Sequence, residues 1–252
     1  MPTNENLWDV HNAGEGCLIL EFGNQIQKHV VDQVVSLNAK IIAAQQLNLL
    51  PALLETVPTF RSLAVMFDPL ITHPDDLAKQ IRSLAVEEHT DSVQTGKKYR
   101  IPVHYGNESG PDLYSVATMT GLPPKHIVAL HQSTVFSVYM LGFLPGFAFM
   151  GDTPAQLHLP RRTEPRVRVP AGSVAIANQL TAVYPWDSPG GWHIIGNSPV
   201  PLFNGHQQPP ALFKAGDTIQ FQAIELDQYH SIVDSVNRGE FDSSSLEFES
   251  NR

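Results

Sequence analysis

RVRVPAGSVAIANQLTAVYP, Arg166–Pro185, packs three short apolar runs into one stretch, punctuated by Pro170, Gly172 and Pro185. Pro and Gly interrupt strands and shape turns, so RVRVP, SVAIA and TAVYP read as successive strands. The same texture extends outward on both sides. FSVYMLGF (136–143) lies upstream, with WHIIG (192–196) and TIQFQAIEL (218–226) downstream. Many short strands at close spacing predict a closed or nearly closed β-barrel ending near Ala223. Ahead of the barrel strands, PDLYSVATMTGLPPKHIVALHQST (111–134) predicts two short helices separated by Gly121 and Pro123-Pro124. The polar tail from Asn237 fits a terminal helix or irregular chain equally well.

The first hundred residues have a different rhythm. CLILEFG (17–23) predicts a strand, and Ile26, Val30, Val34, Leu37 and Ile41 recur at helical spacing over about 25–49. LLETVPTF and RSLAVMF predict two strands joined near Pro58. A second helix starts near Pro74, where Asp75 and Asp76 favour its positive N-terminus. KKYRIPVHY then supplies a further strand. Strand–helix–strand–strand–helix–strand is the ferredoxin-like split βαβ order. The expected class is α+β, with a ferredoxin-like domain over residues 1–96 and a barrel domain over 97–252. The polar stretch TDSVQTGKK marks a soft boundary, and the strand after it fits either side.

Composition narrows the partners. With 16 Lys and Arg against 25 Asp and Glu, the net charge is −9. That disfavours nucleic acid and anionic membranes, which both select basic faces. No apolar run approaches the ~20 residues that span a bilayer, and the N-terminus carries no secretory pattern, so a cytoplasmic location is expected. A single cysteine, Cys17, excludes an intramolecular disulfide and a cysteine-based zinc site. Neither GxxxxGK[ST], GxGxxG nor GxSxG occurs. HExxH is absent as well, and His126 and His131 fall on different helix faces, so no metal site is expected.

Four of the 16 basic residues, Arg161, Arg162, Arg166 and Arg168, crowd into LPRRTEPRVRVPAGSV. Arg166 and Arg168 are two apart, which places both on one face of a strand. Guanidinium forks suit carboxylate or phosphate. Residue types alone leave two readings open, a ligand anion or internal pairing with Glu164, Asp187 or Asp217. Gly-containing turns at GFLPGF (142–147), PAGS (170–173) and SPGGW (188–192) allow either tight barrel corners or the close approach of a ligand.

In order, YMLGFLPGFAFMG, LPRRTEPRVRVPAGSVAIA and YPWDSPGGWHIIGNSPVPLFN resemble the signature of the family of 5-oxoprolinase B subunits. That family is also called allophanate hydrolase subunit 1 or the sporulation-kinase-inhibitor family. The likeness extends through IPVHYGNESGPDL, IVALHQST, CLILEFG and VPTFRSLAVMFDPL, and so covers nearly the whole chain. It implies a ferredoxin-like domain followed by a cyclophilin-like barrel, with the 5-oxoprolinase subunits C and A as partners. The implied activity converts 5-oxoproline to glutamate with hydrolysis of ATP, bound with magnesium by the complex. The chain alone would be inactive.

By motif position, His131 and Arg166 are the candidate catalytic residues, and Arg162, Ser173, Tyr184, Ser188 and Trp192 the candidate substrate contacts. The family's other name implies an alternative, inhibition of a sensor histidine kinase. Urea or allophanate chemistry and prolyl isomerisation follow from analogy alone. One departure stands out. ANQLTAVYP occupies the place of a more usual AGNQTGIYP, so Leu180 replaces Gln, and Asn178 and Ala182 replace Gly, unless Gln179 substitutes through a local shift.

Overall fold

The computed structural model describes residues 8–86 and 96–248. They divide into two compact units, Met1–Thr95 and Gly96–Arg252. Each unit has its own hydrophobic core.

In the first unit, strand β1 (Asp9–Asn12) forms a hairpin with β2 (Cys17–Glu21). Helix α1 (Lys28–Gln46), strands β3 (Leu53–Pro58) and β4 (Ser62–Phe67) and helix α2 (Pro74–Val86) follow. The sheet is antiparallel, in the order β1-β2-β4-β3. Helix α1 buries Val30, Val34, Leu37 and Ile41, the stripe its spacing predicts. It stops short of Leu49 because Asn48 turns left-handed, φ 58°, a conformation Asn tolerates at helix ends.

KKYRIPVHY does not join this sheet; it falls on the barrel side of the soft boundary, and β1 occupies the fourth place instead. The strand β5 (Lys98–Tyr105) belongs to the second unit, where Tyr99, Ile101 and Val103 are buried in the barrel core. β1 escaped notice because DVHN offers only one apolar residue.

The barrel closes through seven strands in the order β10-β7-β6-β13-β5-β12-β9. After β5 come helices α3 (Leu113–Thr120) and α4 (Pro124–Ser133), separated by Gly121 at φ 70°. Then follow β6 (Phe136–Leu141), β7 (Ala148–Gly151), β8 (Arg166–Val169), β9 (Ser173–Ala177) and β10 (Leu180–Val183). β11 (Ser188–Gly190), β12 (His193–Asn197) and β13 (Thr218–Ala223) complete the strands. All pairings are antiparallel except β5 with β13. Every residue of β9 and β10 is buried, which explains why SVAIA reads as continuous rather than alternating apolar sequence.

RVRVP is not a barrel strand. β8 pairs only with β11 in a separate two-stranded ribbon, and Val167 there is 92% exposed. Of its two valines, only Val169 is buried, so the segment offers the barrel no continuous apolar face. Helix α5 (Leu226–Asn237) opens with a capping box, Glu225 with Gln228, and the chain then makes a 3-10 turn over Ser243–Leu246.

Candidate functional site

Asp112 stands just ahead of α3 but does not cap it. Its carboxylate is buried and receives four donors instead. Arg166 donates through Nη1 to Oδ2 at 2.8 Å and through Nη2 to Oδ1 at 2.6 Å. Arg162 Nη1 reaches Oδ1 at 3.0 Å, and the backbone N–H of Ile194 reaches Oδ2 at 2.7 Å. A fork-on-fork pair supplemented by a backbone donor satisfies a buried carboxylate well. Two guanidiniums share one carboxylate, so the cluster carries a surplus positive charge.

Arg168 turns to Asp187 instead, donating through Nε at 2.7 Å, while Asp187 also accepts from the N–H of Ala171. Those two donors hold the Asp187 carboxyl below its ordinary pKa, the backbone bond from Ala171 first and Arg168 next. Of the partners read from sequence, Asp187 takes an arginine; Asp217 instead accepts the N–H groups of Lys97 and Lys214. Glu164 offers Arg162 only its carbonyl. Arg161 forms no hydrogen bond or ion pair among the described residues. Its charge is felt at the Tyr184 phenol, whose pKa is raised by burial and drawn down in part by Arg161 and Arg166.

Tyr184 is held on three sides. Its N–H donates to Ser173 O at 2.9 Å and its carbonyl accepts from the N–H of Gly172 at 2.7 Å. The ring meets Phe147 edge-on at 5.1 Å. Its hydroxyl comes up against Gly190, where a Cβ would lie 2.5 Å from Oη. Gly190 pairs with Arg166 in the ribbon, which brings the phenol beside the arginine cluster. Phe147 also contacts Trp192 and Phe149, at 6.1 and 4.8 Å, so GFLPGF and SPGGW converge on one aromatic wall. Above it, Trp186 donates to Pro145 O at 3.0 Å. Phe143 holds φ +69°, a costly conformation for an aromatic residue, and remains 62% exposed. Ser188 Oγ is buried without a partner two residues ahead of Gly190.

The structure therefore brings Arg166, Arg162, Tyr184 and Trp192 together, with Ser173 as a backbone clamp and Ser188 on the ribbon. His131 stands apart from that group. It is fully enclosed in the barrel, stacked on Phe221 at 4.5 Å. Thr181 Oγ1 donates to Ala175 O. It is thus free to accept from His131 Nε2 at 2.9 Å, and Nδ1 in turn accepts from Tyr105 O–H at 2.7 Å. Both ring nitrogens are satisfied in the neutral form, and burial lowers the pKa to about 3. A histidine so placed packs and cross-links the barrel core.

Nothing in the sequence pointed to Asp112 and, although Arg161 stood in the arginine cluster, nothing singled it out. The first lies within GPDL, a motif with no chemical signature of its own, and nothing in the RR doublet tells which arginine is left free. Two of the three ANQLTAVYP departures suit the backbone. Asn178 adopts φ 54°, suiting a glycine position, whereas Ala182 sits in β10 and needs no positive φ.

Residues 8–213 match the family described as the carboxyltransferase domain, subdomain C and D. The B subunit of 5-oxoprolinase from Bacillus subtilis (strain 168) is 34% identical over 240 residues, covering 91% of this chain and 98% of that protein. The crystal structure of TTHA0988 superposes with a TM-score of 0.72 at 34% identity, over 83% of this chain and 40% of that one. The Kluyveromyces lactis urea amidolyase shares the fold, with a TM-score of 0.72 at 16% identity over 96% of this chain and 16% of that one. The chain belongs to the family of 5-oxoprolinase B subunits, built on the carboxyltransferase C and D fold. It spans well under half of the length of these two crystallised proteins.

Proposed function

We propose that this chain is the B subunit of a cytoplasmic, ATP-dependent 5-oxoprolinase and acts with subunits A and C. The observation that carries the reading is the match to a 5-oxoprolinase B subunit along 98% of that relative's length. The arginine–tyrosine site fits the chemistry. 5-Oxoproline is a small lactam bearing one carboxylate, and opening it develops negative charge on the amide oxygen. Arg161, unpaired beside the Tyr184 hydroxyl, receives the anionic group, while Asp112 fixes Arg166 and Arg162 behind it as positioning residues. Preorganised positive charge of this kind stabilises an oxyanion without reorganising during the reaction. Phe147 and Trp192, both buried, form the apolar wall behind Tyr184. Phe143 and Trp186, exposed on the same rim, suit the face that meets the C subunit.

The site's own residues do not fit a magnesium ion. Its central carboxylate has both oxygens engaged by Arg162, Arg166 and Ile194 N–H. Among the described residues no cluster of three or more metal-ligating side chains occurs. The nucleotide is accordingly assigned to the assembled complex, and no step is placed on it in this chain.

Reconstitution with subunits A and C from the same organism tests the reading. ADP release that depends on 5-oxoproline, and appears only when all three chains are present, is the expected result. Equal turnover by A and C without this chain would refute it.

A further inference from the structure

A cavity of about 510 Å³ opens on the outer side of the barrel, away from the arginine–tyrosine site. That volume lies in the range of small-ligand sites, roughly 300–1,000 Å³. Eight of its ten lining residues come after residue 213, where the family match ends. Its walls include Ile224, Ile232, Leu246 and Phe248, with Gln228 supplying a polar edge. Helix α5 forms one side. Leu226, Tyr229, Ile232, Val233 and Val236 recur along it at helical spacing, yet none of its residues is buried. An apolar helix face that is only partly covered is an incomplete packing arrangement.

Arg100 supplies the specificity. It points outward from β5 between the inward Tyr99 and Ile101, and its guanidinium carbon lies 4.5 Å from the centre of the Phe248 ring. It makes no ion pair among the described residues. Contact with the ring steadies the guanidinium, and no carboxylate among the described residues engages its donors, which suit an anion. We infer that this cavity binds a small organic carboxylate with an apolar body. The carboxylate engages the Arg100 fork, and the body covers Ile232 and Leu246. The site is independent of the lactam site proposed above.

Calorimetric titration of the full chain with phenylpropionate, its neutral amide and inorganic phosphate tests the inference. The acid is expected to bind, with the amide about tenfold weaker, the low end of what a charge-assisted hydrogen bond contributes. Arg100→Gln should reduce the acid to the level of the amide. Ser231→Trp, which fills the cavity, should remove both while the thermal midpoint holds. No binding of the acid up to about 10 mM, the regime of non-specific affinity, would overturn the inference. Equal binding of acid and amide, unmoved by Arg100→Gln, would also overturn it. Phosphate binding as tightly as the acid would refute the apolar component.

Discussion

Asp112 shows how one buried carboxylate can organise a site. It joins a residue just ahead of α3 to two arginines some fifty positions later, and its backbone bond from Ile194 ties the group to β12. Asp112→Ala would leave two guanidiniums facing each other in a half-buried setting. Removing one partner of a buried pair costs on the order of 3 kcal/mol, so the denaturant midpoint should fall accordingly. A change below a few tenths of that would contradict the cluster's structural role. His131 provides a second residue-scale test. Its folded pKa, about 3, lies below the ordinary 6.5, so between those values the unfolded chain binds a proton that the barrel refuses. Stability is therefore fully present above pH 6.5 and declines as the pH falls, by on the order of 2 kcal/mol at pH 5. Unfolding curves at pH 7 and pH 5 should show that decline in the wild type and a flatter response in His131→Gln. Equal slopes in the two proteins would assign the acid sensitivity elsewhere.

Among the elements, the β8–β11 ribbon carries the most information. Gly190 is required for space rather than for φ, because the Tyr184 hydroxyl occupies the place of a side chain. Gly190→Ala should destabilise by about 1–3 kcal/mol, the usual penalty for overpacking. Tyr184→Phe in the same chain should recover part of that loss, and a thermodynamic cycle of the four proteins measures the coupling. Independent, additive effects would remove Tyr184 from the ribbon. The elements also show what the sequence could reveal. α1, α2 and the strands SVAIA and TAVYP were legible because their apolar residues repeat with a period or run unbroken. β11 was hidden in SPGG, whose proline and glycines signal a turn, and β1 in a mostly polar tetrapeptide. The arginine cluster was legible as charge, but its partner was not. Asp112 lies about fifty residues away, and no local pattern encodes a pairing over that distance.

For the molecule as a whole, the two hydrophobic cores have no residue in common. One draws on residues from Trp8 to Ile81 and the other on residues from Tyr99 to Leu246. The arginine–tyrosine site is made entirely by the second unit, so the barrel and its ribbon alone set its geometry. Among the described residues no helix is long and apolar enough to cross a membrane. Arg161, unpaired among the described residues, is the cation to which the proposed function assigns the substrate's anionic group. Arg168, tied to Asp187 and 76% exposed in its side chain, is not. The decisive measurement is the dependence of ATP turnover on 5-oxoproline concentration in the reconstituted complex, for wild type, Arg161→Gln and Arg168→Gln. Arg161→Gln should raise KM for 5-oxoproline about tenfold, as loss of a charge-assisted contact does, while Arg168→Gln matches wild type. An unchanged KM in Arg161→Gln, or an equal rise in both variants, would contradict the site.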